Sequence, residues 1–303
     1  MSNITNAQNP FYGQYHTPHG TVPFDRIKTE HYEPAILEGI KLQNAEIEAL
    51  IQNPEKADFS NTIEAFEESG ELLDKVVAVF GNMLSAETND DLQELAQKIM
   101  PLLSEHSNNI TLNEQLFARV KEVYNQKETL QLTQEQKQLL ENAYNSFVRH
   151  GANLKGEARE EYRRLTTELS KLTLTFSENN LKETNAYQML LTKKESLAGL
   201  PDIIIEAAAE TAKSEGKEGW VFTLHAPSYV PFMTYSDNRD LRQKLYMAYN
   251  TKCTHDNEFN NIDIVKKIAN TRMKIAQLLG YKDYAEYTLK KRMAENSESV
   301  YKL

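Results

Sequence analysis

The feature that most constrains this chain is the stretch from about Gly156 to Leu191, which has no proline and no glycine after Gly156 itself. Within it Tyr162, Leu165, Leu169, Leu172 and Phe176 recur at alternating steps of three and four residues. That spacing draws one apolar seam along an α-helix, of the kind that packs against other helices. A second step of four reaches Asn180, after which the alternation leads to Glu183, then Tyr187 and Leu190. Polar residues on a seam mark where the helix end is expected to leave the core, with a buried polar contact or a cleft-facing role as the alternative.

The rest of the chain is built to supply helical partners. It has 11 glycines and 9 prolines in 303 residues, below the usual roughly 7% and 5%. So few breakers favour long helices. Tyr32, Ala35, Ile36, Gly39 and Ile40 lead into Ile47, Leu50 and Ile51 at helical spacing. Ile63, Phe66, Leu73, Val77, Phe80 and Leu84 form a second stripe, with Asn61 and Glu64 offering a capping box before it. Asn89 or Asp90 caps the next segment, in which Pro101 is expected to end or kink the helix. Thr133 with Gln136 makes another box, and that helix stops at Gly151. Further helices are read over Asp202 to Ser214, Asn261 to Leu279, and Tyr284 to Arg292 behind Asp283 and Glu286. Asn296 or Ser297 opens one more, and the sequence reaches Leu303 scarcely two turns later, which reads as a truncation. Residues 1–23 are rich in Asn, Gly, His and Pro and are expected to lie as an extended arm on a helical lobe spanning 24–303.

One stretch departs from this pattern, "EGWVFTLHAPSYVPFMTYSDNRDLRQ" from Glu218 to Gln243. Trp220, Phe222 and Leu224 alternate with Val221, Thr223 and His225, the period of a half-buried strand. "HAPS" reads as a turn and "YVPFMTY" as a second short strand on an edge, since Pro231 cannot donate to a ladder. The expected fold is therefore mainly α, with one small β-hairpin near residues 219–235. Asp237 is then expected to cap a helix with Leu241, Leu245, Tyr246 and Tyr249 facing inward. On residues alone the favoured role of the hairpin is packing through Trp220, Phe222 and Phe232. The alternative is that His225, Tyr229, Tyr235 and Arg242 offer hydrogen-bond donors to a peptide or carboxylate.

Composition narrows the function classes. Hydrophobic residues are 40% and charged residues 26%, a globular balance with material for one large or two modest domains. The net charge of −10 opposes nucleic acid and anionic membranes, and Arg163-Arg164 and Lys290-Lys291-Arg292 are short runs within helical pattern. Cys253 is the single cysteine, which excludes an intrachain disulfide and a cysteine-based zinc cage. No apolar run is long enough to span a bilayer, and the opening residues lack a secretory leader's pattern, so a cytoplasmic location is expected. Two histidines at i and i+4 with a glutamate between them would mark a helical zinc protease site. None of His16, His19, His31, His106, His150, His225 and His255 forms such a pair. No catalytic residue and no metal ligand is assigned.

Four blocks nevertheless carry a specific resemblance. They are "PFDRIKTEHYEPAI", "FSNTIEAFEESGELLDKVVAVFGNMLSAETND", "FVRHGANLKGEAREEYRRLTTELSKLTLTFSENNLKET" and "GWVFTLHAPSYVPFMTYSDNRDLRQKLYMAYNTK". In this order they resemble the N-terminal half of the thimet oligopeptidase family of zinc metallopeptidases, nearest to its bacterial peptidyl-dipeptidases and oligopeptidases A. The resemblance implies a largely helical, two-lobed peptidase with a channel between the lobes. It also implies zinc held in a C-terminal half by an H-E-x-x-H motif that this sequence does not contain. The expectation is an N-terminal lobe, inactive alone, that forms one wall of a channel for short peptides and joins its own C-terminal catalytic half. The competing expectation is a self-contained helical scaffold that binds peptide or protein without catalysis.

Overall fold

The computed structural model describes residues 9–303, and the first eight residues of the expected arm lie outside the described residues. The fold is mainly α. In chain order the helices are α1 (Thr29–Gln52), α2 (Ala65–Glu67), α3 (Glu71–Ala86), α4 (Asp90–Thr111), α5 (Glu114–Asn125), α6 (Gln134–Arg149) and α7 (Glu157–Ala186). They continue with α8 (Asp202–Ser214), α9 (Ala226–Tyr235), α10 (Arg239–Asn250), α11 (Ile262–Leu278), α12 (Tyr284–Leu289) and α13 (Ser297–Tyr301). Two strands, β1 (Met189–Leu191) and β2 (Trp220–Phe222), pair antiparallel, with Met189 opposite Phe222 and Leu191 opposite Trp220. Among the described residues no helix is long and apolar enough to cross a membrane.

Local chemistry explains most of the boundaries. Thr133 accepts from the Gln136 amide while the Gln136 side chain accepts from the Thr133 amide, so the expected box opens α6. Asn89, Asp283 and Asn296 each accept an amide three residues on and start α4, α12 and α13. Two caps fall elsewhere than the spacing suggested. Asp58 caps a π-helical turn over Phe59–Glu64, with Asn61 as its reciprocal partner rather than the cap. Asn238, not Asp237, accepts from the Leu241 amide to start α10, while the Asp237 amide donates to the Ala198 carbonyl at 2.9 Å. Pro101 neither ends nor splits α4, which runs on to Thr111.

The chain divides into two compact units, Met1–Lys171 with Thr271–Leu303, and Leu172–Asn270. In the first, α1 is the spine. Ile47 and Leu50 pack with Phe59, Ile63, Leu116, Val120, Leu140 and Phe147 in one buried cluster. Phe147 lies between Phe66 and Phe117, at ring-centre distances of 5.3 and 5.8 Å. Tyr162 and Leu165 begin the seam of α7 as expected, buried with Leu112 and Ile275. Near the start of α1, Phe11 is buried 5.4 Å from the Tyr32 ring. The Asn9 side chain donates to the His31 carbonyl, and Lys75 donates to the Gly13 carbonyl.

The second unit corrects the expected hairpin. Trp220–Phe222 is a strand, but its partner is Met189–Leu191, and residues 226–235 are helical. The same pairing ends α7 at Ala186 instead of carrying it to Leu191. Met189 and Leu191 turn inward and Leu190 outward, the alternation a strand imposes. They join Leu197, Leu200, Phe222, Phe232 and Leu245 in a buried core, with Phe222 and Phe232 edge to face at 4.6 Å. Pro227 stands in the first turn of α9, where its missing N–H costs nothing and its fixed φ favours helix. A strand-like apolar string is thereby drawn into a helix by its starting turn.

Two outcomes are expected from this packing. A methyl at Gly39 in α1 would lie 2.9 Å from the Leu73 Cα, so Gly39→Ala forces backbone apart. The strain of overpacking, about 1–3 kcal/mol, outweighs the roughly 1 kcal/mol by which alanine favours a helix. Chemical denaturation is expected to show a net loss of stability. His106 is buried in α4, its Nε2 2.7 Å from Gln43 Oε1, and burial lowers its pKa below the ordinary 6.5. The unfolded chain therefore binds a proton that the folded chain refuses as the pH falls below about 6.5. Stability is expected to be intact above that pH and to decline below it, and His106→Gln should make the acid side of the profile shallower.

Candidate functional site

The four residues singled out by the sequence sit on the second unit around α9 and α10. His225 precedes α9 with extended backbone, and its carbonyl accepts from the Ser228 and Tyr229 amides, closing the first turn. Ser228 in turn accepts from the Thr223 amide and fixes the strand-to-helix step. The His225 side chain is exposed and borders a small cleft of about 210 Å³ with Ile204, Ala208, Phe222, Thr223 and Ser228.

Tyr229, one turn on, belongs to a different feature. Its ring stacks on Tyr249 of α10 at 4.2 Å and 21°. Burial raises its phenol pKa, and the nearby Tyr249 and Tyr246 hydroxyls raise it further against a hydrogen bond with Asn250. Tyr235, at the end of α9, is 52% exposed. Arg242 donates through Nη1 to the Ser236 carbonyl, tying α10 to the last turn of α9 and satisfying an acceptor just past the helix end. Gly199 has φ +85, and a Cβ there would also lie 2.3 Å from the Tyr235 carbonyl oxygen, so glycine is required on both counts. The α9–α10 junction is thus positioned by backbone contacts on both sides.

Tyr246 and Tyr249 were expected to face inward, and the structure reverses that. They are 50% and 39% exposed, while Leu245 is fully buried and Leu241 packs beside it. The signal was present in the spacing: Arg242, Tyr246 and Tyr249 lie at steps of four and three, on a helix face beside the one that carries Leu241, Leu245 and Ala248. Tyrosine tolerates both environments, so the apolar stripe was drawn one residue type too wide.

The polar positions on the α7 seam have distinct fates. Asn180 is exposed. The Glu183 side chain is only 12% exposed and accepts from the Cys253 amide, with Asn257 at 3.5 Å and His255 at 3.6 Å. Cys253 is buried with a left-handed φ of 59. Burial and then the Glu183 carboxylate push its thiol up to about 11. The same loop is closed by Asn261, whose amide donates to the Cys253 carbonyl at 2.7 Å and whose side chain donates to the Phe176 carbonyl at 3.0 Å. Glu183 therefore acts as a buried anchor for the loop between α10 and α11. Among the described residues no three His, Cys, Asp or Glu side chains are gathered so as to hold a metal ion. The described residues do not fit a zinc centre.

Comparison with known proteins gives this geometry a family context. Residues 232–303 match Peptidase family M3. The chain is 35% identical over 295 residues to the dipeptidyl carboxypeptidase of Escherichia coli strain K12, a match covering 97% of this chain and 43% of that protein. It is 32% identical over 285 residues to oligopeptidase A of Haemophilus influenzae, covering 93% and 42%. It is also 30% identical over 296 residues to oligopeptidase A of Salmonella typhimurium, covering 96% and 43%. The chain spans less than half the length of the curated relatives it matches.

The Cys253 environment makes a direct prediction. A buried thiol held above its ordinary range carries little thiolate. At pH 8 the folded chain is expected to resist iodoacetamide over hours and to be alkylated within minutes in denaturant, read by intact-mass spectrometry.

Proposed function

From the premise that the chain is related along nearly its whole length to peptidases of family M3, we propose that it forms part of a metallopeptidase that hydrolyses short peptides and supplies one wall of the peptide channel. The observation that carries this reading is the continuous match of 97% of the chain, at 35% identity, to a dipeptidyl carboxypeptidase. A match spread over separate helices and both units is what descent of the whole segment leaves, whereas a borrowed motif would be local.

The zinc expected of such an enzyme supplies an activated water when bound, and its ligands lie outside this segment. This segment's contribution is to bind and orient. His225, Tyr229, Tyr235 and Arg242 are the residues proposed to face peptide, with the phenols and guanidinium as donors to backbone carbonyls or a carboxylate. The partners are short peptides and the enzyme's own catalytic half, and the compartment is the cytoplasm.

The test is an assay on an internally quenched peptide. The chain alone is expected to show no turnover, with or without added zinc, while the longer polypeptide that joins it to an H-E-x-x-H segment cleaves the peptide and loses activity to a chelator. Tyr229→Ala in that longer enzyme should raise KM about 3- to 10-fold with a smaller change in kcat. Chelator-sensitive cleavage by the chain alone would overturn the division of labour, and unchanged kinetics in alanine variants of all four residues would overturn their role.

A further inference from the structure

We propose that the outward face of α10 binds an acidic peptide segment, reading its carboxylates with Arg239, Arg242 and Lys252 and its apolar parts with Tyr246 and Tyr249. This deepens the reading of a peptide-facing wall and rests on it in taking the occupant to be peptide. Arg239, Arg242, Tyr246 and Tyr249 recur at steps of three, four and three, so they form one stripe along the helix. Lys252, just past the helix, places its ammonium 4.5 Å from the centre of the Tyr249 ring and donates to the Thr184 hydroxyl.

The charge of this face runs against the rest of the molecule. Residues 239–252 carry Arg239, Arg242, Lys244 and Lys252 against one carboxylate, Asp240, in a chain whose net charge is −10. Asp240 lies off the stripe, in the first turn, where it complements the open amides of the helix start. The facing helix α9 has no charged residue. Glu183, the chain neighbour of the Thr184 that Lys252 contacts, is committed to the Cys253 amide. Among the described residues none of the four cations is paired with a carboxylate. Arg242 spends one N–H on the Ser236 carbonyl and keeps the rest of its fork, and Arg239 is exposed without a side-chain partner.

Unpaired cations beside half-exposed tyrosines are complementary to an anionic chain with apolar side chains. Tyrosine gives contact area with few rotamers to freeze, and the Tyr229–Tyr249 stack is already ordered. A short acidic peptide suits this face better than nucleic acid, because a chain of net charge −10 repels a longer polyanion more strongly.

The experiment uses fluorescence polarisation with the purified chain and a labelled octapeptide alternating glutamate and leucine. Its glutamine counterpart and a labelled oligothymidylate serve as rival probes. The glutamate peptide is expected to bind at least about 10-fold more tightly than the glutamine peptide, and to weaken between about 20 and 300 mM NaCl. Arg239→Gln and Tyr246→Ala are each expected to weaken it about 3-fold or more. Lys213→Gln on α8, which changes the net charge equally, should leave affinity unchanged, and circular dichroism confirms that each variant is folded. Equal binding of the glutamine peptide, equal weakening by Lys213→Gln, no binding, or tighter binding of the oligothymidylate would each overturn the proposal. Because the measurement needs no catalysis, its failure leaves the peptidase reading standing, and an inactive longer enzyme leaves this one standing.

Discussion

The first unit depends on the close approach of α1 and α3, made possible because Gly39 has no side chain. With a Cβ only 2.9 Å from the Leu73 Cα, the two backbones could not meet as they do. On either side of that contact the same face of α1 is committed. Toward its start Tyr32 joins Phe11 to Phe80. Beyond it Gln43 bridges His106 and the Ser69 carbonyl, and Glu46 accepts the Gly70 amide at 2.8 Å. Further still Ile47 and Leu50 enter the apolar cluster. One helix thus converts a single steric permission into an ordered sequence of aromatic, polar and aliphatic contacts.

The second unit is organised differently, around short elements held by backbone hydrogen bonds. The β1–β2 pair, the capped start of α9, and the Gly199 turn beneath Tyr235 leave α9 and α10 with one face in the core and the other outside. Those constraints place the tyrosines and arginines of α10 outward together. The functional readings depend on this arrangement, since side chains on rigid helices hold position better than side chains on loops.

Much of this was legible in the sequence because it follows from local rules. The bounds read for α1, α6 and α8 fall close to the observed ones, the Thr133–Gln136 box opens α6, and the seam through Tyr162 and Leu165 is buried. The mistakes share one cause. Trp220–Phe222 was recognisable as a strand, but its partner is Met189–Leu191, some thirty residues upstream. "YVPFMTY" has a composition that suits either state, and Pro227 together with the Ser228–Thr223 contact made it helix. Asp237 and Asn238 are both good caps, and Asn238 is the one whose side chain meets the Leu241 amide.

The sequence by itself determined a mainly helical chain with a family resemblance along almost its full length, because periodicity, capping and breaker scarcity act within a few residues. Only the tertiary structure decided which polar groups became anchors and which became surface. Glu183 and Tyr249 occupied equivalent-looking positions on helical stripes, yet one is buried against the Cys253 amide and the other is exposed beside Lys252. A carboxylate is buried only where donors meet it, whereas a tyrosine suits either environment. For such residues the outcome is set by which distant backbone group arrives to meet them.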